Sequence, residues 1–430
     1  MTPLALDPFT IDVLSTHSQS VRDSGAVGDG ETDDGPAIQR ALDEHPGRVV
    51  IPPGSYRIGR TLLCPSGTRL IAHPEAVIAF ADGSGQDESS FLITNAPGAE
   101  DITITGGVWD GNNPGNPRGP DRPGAYSGCV LGFHQMRGLT LRSLTVRDPE
   151  SFFIRLGEVT SFRIEDIQLE ARHLRPNQDG VHLGGGCEDG EIRRIHGVGL
   201  KTPNDDMVAL NADDALERAP LRGLVNAPIR RIRIEDLRAD DCHSFVRLLS
   251  VWSPIEDITI RGIRGGCRIS AFNLDAARDA AVPLFDPEDP KVAEGVGWVR
   301  RLRVEDVELY KSADAGEAPL LDVRTRCDDV RFERFTRNAV RDTRPDTPTL
   351  RLACCPSTHL TLDGLEALQA EALYTASPGV ELQRLVLPQP ATPRRYRAAV
   401  RIDHREQFDL PSGGFDSLAL DHEHAESPRG

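Results

Sequence analysis

No apolar run reaches 18 residues, so the sequence offers no transmembrane helix and no membrane partner is expected. The opening Met1-Thr2-Pro3-Leu4-Ala5-Leu6-Asp7-Pro8 has neither the basic n-region nor the apolar h-region of a secretory signal. With Met1 as the native start a cytoplasmic protein is expected; a trimmed chain would instead be secreted. Aromatic residues make up only 5% of the chain, too few for a long sugar-stacking platform. The eight cysteines contain no Cys-x-x-Cys pair and no zinc spacing, so they read as buried free thiols, and no metal or other cofactor is expected. Positive charge is outnumbered, with 49 Lys and Arg against 66 Asp and Glu. A net charge of -17 and a pI near 5.2 argue against a phosphate-binding surface and against a nucleic-acid partner. The same charge repels a polyanionic substrate at long range, so such a substrate needs a local basic pocket.

Two further absences concern the fold. Helical periodicity is almost missing between apolar segments, and so are the tight two-residue turns of an antiparallel sandwich. What recurs instead is apolar, any, apolar, any, any, apolar, as in Leu139-Leu141-Leu144, Phe162-Ile164-Ile167, Ile232-Ile234-Leu237, Ile258-Ile260-Ile263 and Leu302-Val304-Val307. Alternation marks a strand with one buried face, and the break in period marks a bend. The copies fall 20 to 44 residues apart, with Pro- or Gly-rich inserts such as Ala219 to Pro228 and Ala280 to Gly297 in the longer gaps. A period in this range with one short strand per visible unit predicts an all-β solenoid, a parallel β-helix, whose coils stack at about 4.8 Å. Pro36 to Glu44, after the cap signal Asp33-Asp34, predicts a short amphipathic N-terminal capping helix. The expected layout is an N-terminal extension over 1–20, one β-helix over 21–395, and a C-terminal cover and tail over 396–430.

The stretch Asp23-Ser24-Gly25-Ala26-Val27-Gly28-Asp29-Gly30-Glu31-Thr32-Asp33-Asp34, followed by the helix and Val49-Val50-Ile51-Pro52-Pro53-Gly54-Ser55-Tyr56, resembles the opening of pectin-lyase-like right-handed β-helix proteins. That opening is shared by lyases, hydrolases and phage tailspikes, so it bears on fold rather than reaction. Ile104-Thr105-Gly106-Gly107-Val108-Trp109-Asp110-Gly111-Asn112 resembles, more narrowly, the coil before the active region of glycoside hydrolase family 28, the polygalacturonase family. The family's Asn-Thr-Asp motif resembles Asn177-Gln178-Asp179-Gly180, with Gln178 in place of Thr. Its Asp-Asp motif resembles Asp205-Asp206, its Gly-His-Gly motif survives only as His243, and its Arg-Ile-Lys motif falls at Arg268-Ile269-Ser270 without the Lys.

The spacings carry an argument of their own. Asp179 and Asp206 are 27 residues apart, Asp206 and His243 37 with an insert near Leu216 to Val225, and His243 and Arg268 25. Each step is about one coil, so the acids, the histidine and the arginine are expected to line one groove. Clustered carboxylates can supply one protonated and one ionised group, as glycosidic hydrolysis requires. The resemblance implies that Asp205 is the general acid, that Asp179 and Asp206 activate water with inversion, that His243 helps hold the acid's proton, and that Arg268 grips a substrate carboxylate or hydroxyl. Asn177, His182 and Trp252 complete the expected substrate-binding set, with Phe152, Phe153 and Trp109 as further aromatics that stack on sugar or fill the core.

The expected partner is an oligo- or polysaccharide containing uronic acid or related to pectin. Ser270, in place of the family Lys, weakens the case for homogalacturonan. The inserts Asn112 to Tyr126 and Ala280 to Gly297 are expected to wall off one end of the groove and favour exo-action. Two other classes stay open: a polysaccharide lyase on the same fold with Ca²⁺ held by Asp179, Asp205 and Asp206, and a non-catalytic carbohydrate-binding or tailspike-like module. The sequence sets no oligomeric state.

Overall fold

The computed structural model describes residues 18–86, 90–118, 127–213, 224–276, 297–345, 347 and 349–352, together with strand segments at 358–363, 382–386 and 408–409. Residues 1–17 of the expected extension, the insert portions at 119–126, 214–223 and 277–296, Cys354, Cys355 and nearly all of the tail from Ala391 lie outside the described residues.

The apolar triplets stack in register. Each coil of the central region lays down three strand segments, here called faces A, B and C in chain order, and each pairs in parallel with the same segment of the next coil. On face A, Ile154, Val181, Val208, Val246, Phe272 and Leu321 form one ladder. Face B stacks Ile164, Ile192, Ile234, Ile260, Val304 and Phe332, and face C stacks Ile167, Ile195, Leu237, Ile263, Val307 and Phe335. All of these side chains are buried, so three columns meet in one continuous core. Each such side chain contributes about 1.5–3 kcal/mol by leaving water. The protein is a right-handed parallel β-helix.

The bend expected between the second and third apolar residues of each triplet has a defined cause. Asp166, Arg194, Asp236, Asp306 and Arg334, at that position in their coils, all take a left-handed backbone with φ between 54 and 58°. Such a conformation is costly for non-glycine residues. Opposite charges follow one another up this corner: Arg194 Nε donates to Asp166 at 2.5 Å and Arg334 Nε to Asp306 at 2.5 Å. The corner between faces A and B repeats the device, with Arg231 on Asp189 at 2.6 Å and Arg301 on Asp257 at 2.5 Å. These pairs are about half exposed, so solvent screens them and each stabilises the fold little. Their spacing, one per coil, fixes the bend at the same phase throughout.

A helix over Gly35–Glu44 buries Ile38, Ala41 and Leu42 at the N-terminal end of the core, as expected of a cap. Asp34 stands at its N-cap position, but its side chain does not cap the helix. The carboxylate is taken by the amides of Val27 at 2.6 Å and Gly28 at 3.0 Å, so it closes the preceding glycine-rich turn instead. No helix among the described residues is long and apolar enough to cross a membrane. Trp109 and Phe153 are fully buried and belong to the core; the indole of Trp109 donates to the Gly106 carbonyl at 3.0 Å. The six described cysteines are buried free thiols.

Candidate active site

The third corner, where face C turns back into face A, has longer turns, tied across coils by Arg172 on Asp148 at 2.6 Å and Arg175 on Glu150 at 3.0 Å. Its turns hold Asp179, Asp205, His243 and Arg268 on successive coils, and Asp206 opens the face A strand Asp206–Asn211. Three backbone bonds set the acids side by side: the Gly180 amide donates to the Asp206 carbonyl at 2.9 Å, the Asp205 amide to the Gln178 carbonyl at 3.3 Å, and the His243 amide to the Pro203 carbonyl at 3.1 Å. This close approach explains Gly180. A Cβ there would lie 2.5 Å from the Met207 carbonyl oxygen and 2.6 Å from Leu169.

The acids differ in surroundings. Asp179 and Asp206 are buried, whereas Asp205 is about a quarter exposed at the side chain. Burial pushes the Asp206 carboxyl up to about 7, reinforced by the charge of Asp205 and opposed by Arg247 and the Ser244 hydroxyl. Burial also raises Asp179 well above the carboxylate range, with Asp205 and Asp206 adding to it and Arg247 working against it. His243 Nδ1 lies 3.6 Å from Asp205 and 3.3 Å from the Ser244 hydroxyl. Burial lowers the imidazole's pKa, and the neighbouring Asp205 offsets this only in part. The corner therefore holds a carboxyl with a proton to exchange near neutrality, beside an imidazole that stays neutral there.

His182 belongs to the same cluster. Its Nδ1 shares a proton with Asp179 Oδ2 across 2.6 Å, and its ring packs 4.4 Å from that of Phe152. Arg268 sits in the wall, where its Nη2 donates to Asn204 Oδ1 at 2.6 Å and its Nε lies 4.0 Å from Asp241. Asn204 also donates to the Arg175 carbonyl at 2.9 Å, so it ties three coils together. Asn177 has a left-handed backbone, and its Oδ1 accepts from Arg118 at 3.1 Å. Trp252 is not brought to the acids. It follows the far end of the strand Ser244–Leu249 that begins beside Asp206, roughly 16 Å along at about 3.3 Å per residue. Its indole is exposed, and its amide is held by Asp213.

Two contributors escaped the sequence reading. Arg247 stands next to Ala209 in the face A register, donates to Asp275 at 2.9 Å, and bears electrostatically on Asp179 and Asp206. Its signal was positional only: an arginine one strand position from the buried ladder. Gln178, which replaces the family threonine, is fully buried. It donates to the carbonyls of Pro149 at 2.8 Å and His173 at 3.1 Å and accepts from the Arg175 amide at 2.9 Å. Gln178→Ala leaves the Arg175 amide without its partner beside Asp179, while the carbonyls of Pro149 and His173 keep the Asn113 amide. A stability loss of about 1–3 kcal/mol is expected in urea unfolding, together with a lower turnover.

The oxygens and nitrogen of Asp205, Asp206 and His243 lie within 4.8 Å of one another, close enough to hold a metal ion. Two carboxylates and an imidazole suit a transition metal better than Ca²⁺, which prefers six or more oxygens. Sequence spacing already brought these residues to one groove; the closeness of their ligand atoms is what the structure adds.

Residues 18–112 match the family model described as rhamnogalacturonase A/epimerase, pectate lyase-like. Among curated relatives, the preneck appendage protein of Bacillus phage PZA is 38% identical over 106 residues, which is 24% of this chain and 12% of that protein. This chain thus spans a small fraction of that relative. Among solved structures, the endo-xylogalacturonan hydrolase from Aspergillus tubingensis superposes with a TM-score of 0.58 at 15% identity, covering 84% of this chain and 94% of that one. The surface adhesin PfbA of Streptococcus pneumoniae gives 0.52 at 13% identity over 87% and 93%. At these identities the likeness is one of fold.

Proposed function

We propose that the protein is a glycoside hydrolase that cleaves a uronic-acid-containing or pectin-related saccharide with inversion at the anomeric carbon. The observation that carries this reading is the convergence of Asp179, Asp205 and Asp206 at one corner, with two of them buried and shifted upward. Like charges so placed resist joint ionisation, so the trio retains a proton that its members share and keeps an ionised carboxylate beside it. In this reading Asp205, the most exposed of the three, protonates the leaving oxygen as the glycosidic C–O bond breaks. Asp206, with Asp179, takes a proton from the water that attacks the anomeric carbon. A base titrating near 7 is matched to that task at neutral pH. His243, neutral and beside Asp205, orients the acid. Arg268 is committed to Asn204, so it shapes the groove wall more than it grips substrate.

The test is a screen of uronic and neutral oligosaccharides with the wild-type protein and Asp205→Asn, reading reducing ends and ultraviolet absorbance together. New reducing ends without absorbance support hydrolysis. An absorbing, unsaturated product assigns a lyase, the reading favoured by the metal-sized trio, and loss of that product with EDTA would establish it. A folded wild-type protein that binds saccharide, cleaves none, and binds equally well as Asp205→Asn is a binding module.

A further inference from the structure

Face B carries a second feature that the catalytic reading does not use. On its outer surface the charges of neighbouring coils mostly cancel: Arg163 meets Glu191 at 3.2 Å, Arg261 meets Asp306 at 2.9 Å, and Arg303 meets Asp329 at 2.5 Å. The pattern fails over the first coils. There a cavity of about 330 Å³ is lined by Arg48, Arg69, Arg142 and Arg163, against a single acid, Glu165. Glu165 is already engaged by Arg193 and Arg194. Among the described residues neither Arg48 nor Arg69 has an acidic partner, and Arg48 Nε is buried without a hydrogen bond. Arg163 is taken by Glu191, so the unbalanced cations of the groove are Arg48 and Arg69, in a chain of net charge -17.

The floor is made of hydroxyls. Thr103, Thr105 and Thr140 line the same cavity, and the face B register places Arg69, Thr103, Thr140 and Arg163 on four successive coils. Three steps of about 4.8 Å make this row about 14 Å long, cationic at its Arg69 end and short-chained in the middle. Threonines donate and accept hydrogen bonds as sugar hydroxyls require. Arginine forks match carboxylates in two-point contact. The catalytic turns lie at the corner between faces C and A, whereas this row lies on face B, so the two sites do not share residues.

We propose that this groove is a second saccharide-binding site, distinct from the catalytic corner, that holds a short carboxylate-bearing sugar chain. The sugar part of this assignment rests on the reading of the protein as a saccharide-cleaving enzyme; the anionic part rests on the groove alone. A groove of this kind supplies the local basic pocket that the overall negative charge demands. It keeps a polyuronate on the protein while another part of the chain reaches the acids.

The test is calorimetric titration of the full-length chain with trigalacturonate, using Asp206→Asn protein to prevent turnover. Two binding events are expected, one of which weakens at least tenfold in the Arg48→Gln/Arg69→Gln double variant and also weakens with added salt. Maltotriose, which lacks carboxylates, is expected not to bind the groove. Thermal unfolding of the double variant checks that the fold is kept, and Thr103→Val/Thr140→Val, which removes hydroxyls without changing charge, is expected to weaken the same event. Unchanged trigalacturonate binding in both double variants overturns the proposal, as does a groove that takes inorganic phosphate but not trigalacturonate. If the catalytic reading alone is at fault, the groove event remains and only the corner event disappears.

Discussion

Replacement of Asp206 by Asn is expected to lower hydrolysis of a natural glycoside by about 10²–10⁴-fold, the range that general acid–base catalysis contributes. The side chain keeps its shape and loses only its capacity to take a proton. Its neighbours stay in place because the strand Asp206–Asn211 is fixed by pairing on both sides. The same substitution at Asp205 is expected to cost as much on a natural substrate. The two separate on an aryl glycoside whose phenolate leaves without help: Asp205→Asn recovers part of its rate there, whereas Asp206→Asn does not, since water still needs a base. Equal recovery in both variants would show that the roles are misassigned. A wild-type rate that rises through about pH 7 as Asp206 loses its proton is the companion observation. A rate flat across that range, with product still formed, would remove Asp206 as the base.

Much of this was legible in the sequence because a β-helix writes its geometry one coil at a time. The triplet Phe162-Ile164-Ile167 already contains both strands and the bend, and the register confirms that its copies stack. Asp179, Asp205, Asp206 and His243 could be placed together for the same reason: each coil returns to the same corner after a nearly fixed number of residues. What the sequence could not show depends on side-chain direction. Arg247 and Trp252 are five residues apart on one segment, yet Arg247 bears on the acids and Trp252 points to water beyond the strand's other end. His182 was expected to meet substrate, and its imidazole is instead held against Asp179. The Asp34 cap signal was genuine as a position but misleading as a bond, because the nearby turn competed for the same carboxylate. The face B groove was invisible for a different reason. It is defined by a missing acid across four coils, and an absence spread over nearly a hundred residues leaves no local motif.

The buried acids should also make the protein less stable as the pH rises through the neutral range, and Asp206→Asn should remove much of that loss. In the unfolded chain an aspartate titrates near 3.9; in the folded protein Asp206 holds its proton to about 7. Between those values the folded state binds one more proton than the unfolded state, so the stability this group contributes is fully present below about pH 4 and declines up to about pH 7. A difference of about three units corresponds to about 4 kcal/mol. Asp179, also raised by burial, acts in the same direction. Other carboxylates oppose the trend at acid pH: Asp166, Asp189 and Asp257 are held low chiefly by hydrogen bonds from Arg194, Arg231 and Arg301, and lose their stabilising charge only as the pH falls below about 4. The window between about pH 5 and 7 therefore reports on the corner, where His243, held low by burial, gains stability as the pH rises and offsets part of the loss from the two buried acids. Urea unfolding of the wild type across that window should show a falling midpoint, whereas Asp206→Asn, with a neutral amide at every pH, should show a shallower fall and exceed the wild type at pH 8. A wild-type midpoint that rises with pH, or an Asn variant weaker than the wild type at pH 8, would mean that Asp206 is ionised in the folded protein and is held by its neighbours rather than opposed by burial.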